Sequence, residues 1–246
     1  MNFKALFIAI TLFSTQAAFS QNKNGTYEFD VLKGLQSLEV EATKGSLLIE
    51  AGSLYKAIVE VKKIKWGKGC EESVVQFGPT LTVKIKSSGL FNKDECRVDL
   101  VIKIPKKVDM EISNGAMETT IKGIEGALDY KSASGNLKAQ GEFSKVDVKV
   151  ASSDLFIEGL LGEGSLVGAS ADMKLVYAKC PSKASKLSIS RASGDAEIFV
   201  PKNCKLKTQN KTASGDSFNE FGDSMDYDLE INSVSASGDF KLKKLK

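Results

Sequence analysis

From Tyr27 onward the chain alternates apolar and polar residues with a period of two. LEVEA at 38–42, VEVK at 59–62, LTVKIK at 81–86 and VDVKV at 146–150 all show it. Successive side chains of a strand point to opposite faces, so Val146, Val148 and Val150 share one face while Asp147 and Lys149 share the other. No window places apolar residues at helical spacing behind a capping box, and the chain after its first twenty residues is predicted to be all-β.

A second pattern punctuates these strands. SNGAM at 113–117, ASGNL at 133–137, ASSDL at 151–155, ASADM at 169–173, ASGDA at 192–196, ASGDS at 213–217 and ASGDF at 236–240 are variants of one turn. Their third residues, Gly115, Gly135, Ser153, Ala171, Gly194, Gly215 and Gly238, lie 20, 18, 18, 23, 21 and 23 positions apart. A unit of about twenty residues cannot bury a core alone, so copies must stack. The predicted fold is a single-stranded β-helix, or β-solenoid, with coils about 4.8 Å apart. Leu137, Leu155, Met173, Ala196 and Phe240 follow the turn at the same place and should form one apolar ladder, which Ser217 interrupts. The glycine supplies the positive φ of a tight turn, and the neighbouring Ser and Asp bond nearby backbone. The C-terminal FKLKKLK reads as a last strand whose lysines guard an exposed edge.

Residues 1–20 have the form of a secretory leader: Lys4, the apolar run ALFIAITLF, then small residues ending Ala18-Phe19-Ser20. The apolar run is too short for a membrane span, and the mature chain is expected to have none. Residues 21–246 are expected to form a single β-solenoid domain, with longer strands over 21–105 and short-repeat coils over 106–246. KGSLLIE at 44–50 looks like a degenerate capping copy.

Composition narrows the chemistry. The chain has no His, which excludes a Ser-His-Asp triad, a Cys-His pair, a His-held metal and a His proton shuttle. Loss of Lys4 leaves 33 basic and 31 acidic residues, interspersed, with no basic stripe for nucleic acid. Four cysteines in an exported chain imply disulfides, and with no CxxC pair zinc is disfavoured. Cys180 lies nine residues after Ala171 and Cys204 ten after Gly194, near-equivalent places on neighbouring coils. The expected pairs are therefore Cys70 with Cys96 and Cys180 with Cys204.

The strand VDLVIKIPKKVDMEISNGAMETTIKG, followed by ASG[ND] turns, resembles the adhesin families of bacterial β-solenoid proteins. These are the DUF4097 type and the related autotransporter-adhesin head, or GIN, domain. The resemblance implies an exported protein of the periplasm, cell surface or medium, with no catalytic residues and no cofactor to carry over. The expected function is a non-enzymatic binding module for a cell-surface protein, a glycan or an envelope polymer. Its face would be lined by outward residues such as Thr119, Thr120, Lys138, Gln140, Lys174, Lys207, Gln209 and Lys241. Three alternatives stand beside it. One is an envelope scaffold. Another is a calcium-stabilised solenoid with a ladder of Asp154, Asp172, Asp195, Asp216 and Asp239, against which the absence of GGxGxD repeats counts. The most remote is a polysaccharide-active β-helix enzyme with paired carboxylates.

Overall fold

The computed structural model describes residues 17–18, 24–31, 34–87 and 95–245. Apart from Ala17–Ala18, the leader expected over 1–20 lies outside the described residues. Among the described residues seventeen strands form one continuous sheet, and there is no helix. In chain order they are β1 (Ala17–Ala18), β2 (Gly25–Asp30), β3 (Ser37–Ala51), β4 (Lys56–Lys65), β5 (Cys70–Phe77) and β6 (Thr80–Ser87). Then come β7 (Arg97–Ile104), β8 (Asp109–Ser134), β9 (Leu137–Ser152), β10 (Leu155–Ser170), β11 (Met173–Tyr177) and β12 (Ser185–Ser193). The last five are β13 (Ala196–Pro201), β14 (Leu206–Ser214), β15 (Ser217–Asn219), β16 (Leu229–Ser237) and β17 (Phe240–Leu245).

Through the middle of the molecule the strands stack in parallel and in sequence order. Thr119 of β8 lies beside Leu137 of β9, and Leu137 beside Leu155 of β10. The first part of β10 continues onto β11 and the second part onto β12, with Leu155 beside Met173 and Leu166 beside Ile189. Ala196 of β13 follows on Met173. Alternation fixes the inner face: Val146 and Val148 are buried while Lys145 and Lys149 face solvent.

Sequential stacking ends there. β13 pairs with β17, Ala196 beside Phe240, and β12 pairs with β16. β14 and β15 lie outside these, Leu206 beside Leu229 and Ser217 beside Phe240. The last two strands of the chain are wedged between two coils that precede them in sequence. This corrects two expectations. The ladder Leu137, Leu155, Met173, Ala196, Phe240 is unbroken, each residue at most 2% exposed, because Ser217 belongs to the outermost layer and is not part of it. The expectation of an edge is corrected over residues 240–242, which are paired on both sides, by β13 and β15, and bury Phe240 and Leu242, while residues 243–245 pair with β13 alone.

The other end is interleaved in the same way. β3 lies between β8 and the pair β6 and β7: Ser37 meets both Thr80 and Asp109, and Leu47 meets both Leu100 and Thr119. Antiparallel strands finish this end, with β4 on β7, β2 on β4 and β5 on β6. The backbone of Ala17–Ala18 lies antiparallel along β5 at Val75 and Val74. One apolar core runs from Tyr27 to Leu242. Two disulfides pin its flanks: Cys70 with Cys96, Cα atoms 5.6 Å apart, and Cys180 with Cys204, 5.5 Å apart.

Candidate functional site

Because the coils are in register, one outward position of each turn unit becomes a row. Three residues past the third turn residue stand Lys138, Phe156, Lys174, Glu197, Lys241 and Phe218, in this spatial order, and Thr120 precedes them on β8. The Phe156 ring is flanked by Lys138 and Lys174, whose ammonium groups lie 5.8 and 5.9 Å from its centre. In the next row Phe199 is flanked by Lys174 at 5.1 Å and Lys243 at 5.8 Å. Each such contact is worth roughly 0.5–1 kcal/mol at an exposed site. Glu197 ties the rows together, accepting from Lys243 at 2.5 Å and standing 3.9 Å from Lys174.

A second row runs parallel to the first at the turn itself. Asp154 N–H donates to Asn136 Oδ1 (2.9 Å), Asp195 N–H to Asp172 Oδ1 (2.8 Å), Asp239 N–H to Asp195 Oδ1 (2.8 Å) and Asp216 N–H to Asp239 Oδ1 (3.0 Å). The Asp195–Asp239–Asp216 order repeats the interleaving of the coils. The Asp239 carboxyl is held below the usual carboxylate range, first by the Asp216 N–H and then by Lys241. Each bonded side chain of this ladder thus serves the coil stacked on it. Among the described residues no three acids converge as a metal-holding group.

Between the two rows lies an open groove of about 510 Å³, whose floor is the strand backbone at Leu137, Leu155 and Met173, their side chains being turned into the core. Its turn-side rim carries Glu118, Asn136, Asp154, Asp172 and Asp195, and its other rim Thr120, Lys138, Phe156, Lys174, Glu197 and Lys241. Five carboxylates and three ammonium groups give a lining charge of −2.

A family model, Toastrack DUF4097, matches residues 20–243. The chain belongs to this family. No curated protein matches this Toastrack chain. Among solved structures, a candidate adhesin from Bacteroides fragilis is 14% identical, with 92% of this chain and 98% of that one covered and a TM-score of 0.51. A candidate cell adhesion protein from Clostridium sporogenes is 14% identical over 91% and 99% of the two chains, TM-score 0.43. A candidate lipid-binding protein from Parabacteroides distasonis is 14% identical over 92% and 98%, TM-score 0.41. At such identity the likeness to the Bacteroides fragilis protein is one of fold.

Of the outward residues expected to line a face, the Toastrack chain brings Thr120, Lys138, Lys174 and Lys241 into the groove. Gln140 stands one row away, donating to Glu158 at 2.7 Å. Lys207 and Gln209 lie on β14, against β16, and Lys207 pairs with Glu230. Thr119 corrects the expectation: it is 2% exposed, pointing inward, where the Tyr130 hydroxyl donates to it at 3.3 Å. Alternation decides this, since Thr119 shares the inner face with Leu137. Phe156 does not stand out among the apolar residues of the sequence, although counting three residues past each turn finds it directly.

Two further polar groups lie inside the Toastrack fold. Lys63 and Glu72 form a 2.8 Å ion pair with side chains 4% and 0% exposed. The Tyr27 hydroxyl donates to Glu72 at 2.7 Å, and the Lys63 ammonium sits 4.4 Å from the centre of the Trp66 ring. At the opposite end Arg191, 4% exposed, donates to Gly194 O (2.7 Å), Ser233 Oγ (3.1 Å) and Asp239 O (2.9 Å). Burial pulls its pKa below the ordinary guanidinium value, opposed by Asp195 and Asp172. Both are internal and hold layers together. The groove, by contrast, is open to solvent. Among the described residues no helix is long and apolar enough to cross a membrane.

Proposed function

We propose that this chain is an exported, non-catalytic binding module of the bacterial cell envelope, holding a surface partner along the groove beside the turn column. In this reading residues 1–20 are removed and 21–246 act as one right-handed β-solenoid of coils of about twenty residues. It works at the periplasm, the cell surface or beyond. The observation that carries the proposal is the groove: successive coils contribute Lys138, Phe156 and Lys174 to one solvent-open rim. Such a surface offers cationic groups beside an aromatic anchor, the Phe156 ring, that has few rotamers to lose on binding.

Several facts support the rest. Two disulfides belong with an oxidising compartment. A chain without His lacks the commonest general base. The Bacteroides fragilis protein of the same fold is described as a candidate adhesin. The test is affinity capture of envelope fractions on immobilised full chain and on its F156A/K174A variant. Components held by the wild type and released by the variant are expected. Capture that is identical on both, or absent from both, overturns the proposal.

A further inference from the structure

We infer that the groove takes an extended, uncharged glycan chain lying along the stacking axis, about one sugar unit to each coil. This rests on the groove being the binding surface and names what binds there. The first argument is the chemistry of the two rims. Asp154 and Asp172 on the turn side can only accept hydrogen bonds, and Lys138 and Lys174 opposite can only donate. A sugar hydroxyl does both at once, so a chain of vicinal hydroxyls can donate to the turn-side carboxylates and accept from the lysines of alternate coils, Lys138, Lys174 and Lys241. Asp172 commits Oδ1 to the Asp195 N–H, which leaves Oδ2 for a ligand.

The second argument is charge. The lining is net negative, −2, so a polyuronate, a phosphate polymer or a nucleic acid meets repulsion along the carboxylate rim. A neutral polymer meets none. The third is geometry. Coils repeat every 4.8 Å or so, close to the advance of one pyranose in an extended chain, so one sugar unit faces each coil and the lysines of alternate coils meet alternate units. Phe156, half-buried between its two lysines, offers an apolar ring that one sugar can touch in passing. A peptide strand is a poorer fit, because the rims are built of side chains and closed turns with no free strand edge to extend.

The experiment is affinity electrophoresis of the full chain in gels containing hydroxyethyl cellulose, polygalacturonate or heparin, at low and high salt, with wild type, F156A and D154N/D172N. Retardation by hydroxyethyl cellulose is expected, little changed by salt and weakened about tenfold in each variant, or 1.4 kcal/mol. No retardation by the neutral polymer overturns the inference. So does retardation by the polyanions alone that fades with salt, since the lysines would then be acting without the carboxylates. Envelope capture lost in F156A/K174A but without glycan retardation would sink the glycan assignment and leave the groove's role standing. Failure of both would remove both.

Discussion

The interleaved order of the C-terminal coils can be tested at a single glycine. Gly238 has φ +102°, and a Cβ placed there would stand 2.1 Å from the carbonyl oxygen of Gly194. That contact exists only because β17 lies directly on β13. Alanine at 238 therefore meets two penalties. Holding an L-residue at positive φ costs about 1–2 kcal/mol, and the backbone clash adds overpacking of about 1–3 kcal/mol, since a carbonyl cannot move without parting two coils. The sum, roughly 2–5 kcal/mol, is a large part of a typical stability of about 5–15 kcal/mol. For a chain of this size each kcal/mol lowers Tm by about 2–4 °C, so a fall of roughly 5–20 °C is expected.

Two control glycines separate the terms. Gly78 has φ +57° with nothing within 4 Å of where an alanine methyl would stand, so G78A should show the strain alone, about 1–2 kcal/mol. Gly222 meets nothing within 4 Å, and G222A should change little. Thermal melts by circular dichroism on the three variants are sufficient. If G238A loses no more than G78A, coil-on-coil contact between Gly238 and Gly194 does not exist, and the stacking order that requires it falls.

Three other outcomes follow from the packing. C180S/C204S should destabilise the fold by about 3.5 kcal/mol from the 24-residue separation it closes; a denaturant midpoint unmoved by the change would contradict this. E72A takes the carboxylate from a Lys63 ammonium that is 4% exposed, and a loss of about 3–5 kcal/mol is expected, most of it recovered in K63M/E72M. Urea titrations showing the double variant no better than E72A would refute that account. Asp239 has a folded pKa below its unfolded one, so its contribution is complete above the unfolded value, near 3.9, and is lost as pH falls through the folded value. D239N keeps an oxygen for the Asp216 N–H but cannot titrate, and should flatten the acid limb of a Tm-against-pH profile. An acid limb as steep as wild type would contradict it.

Much of this fold can be read from the residues. The period-two stretches are the strands, and the inner ladder from Leu137 to Phe240 follows from one position in the repeated turn. What resists reading is the order of layers. ASGDA, ASGDS and ASGDF are nearly interchangeable as turns, so nothing local says whether Phe240 or Ser217 stacks directly on Ala196. The discriminating signal lies in the inward residues. β16 offers Leu229 and Ile231, whereas β14 offers Thr208, Asn210 and Thr212 after Leu206, and the more polar strand takes the outside. Arg191 is the other case: its inward position reads as a defect until Ser233 and Asp239 arrive from the C-terminal strands to receive it. The groove is half legible, since its lysines stand out as charges while Phe156 resembles core.

The wedge made by β16 and β17 works as a keystone. Coil pairing ties β14 and β15 to the body only through these two strands, with the Cys180–Cys204 link beside them as a covalent tether. A chain emerging from its N-terminus cannot close this end until its final eighteen or so residues have arrived. Trimming the C-terminus would accordingly cost two layers of the stack where a consecutive solenoid would lose one.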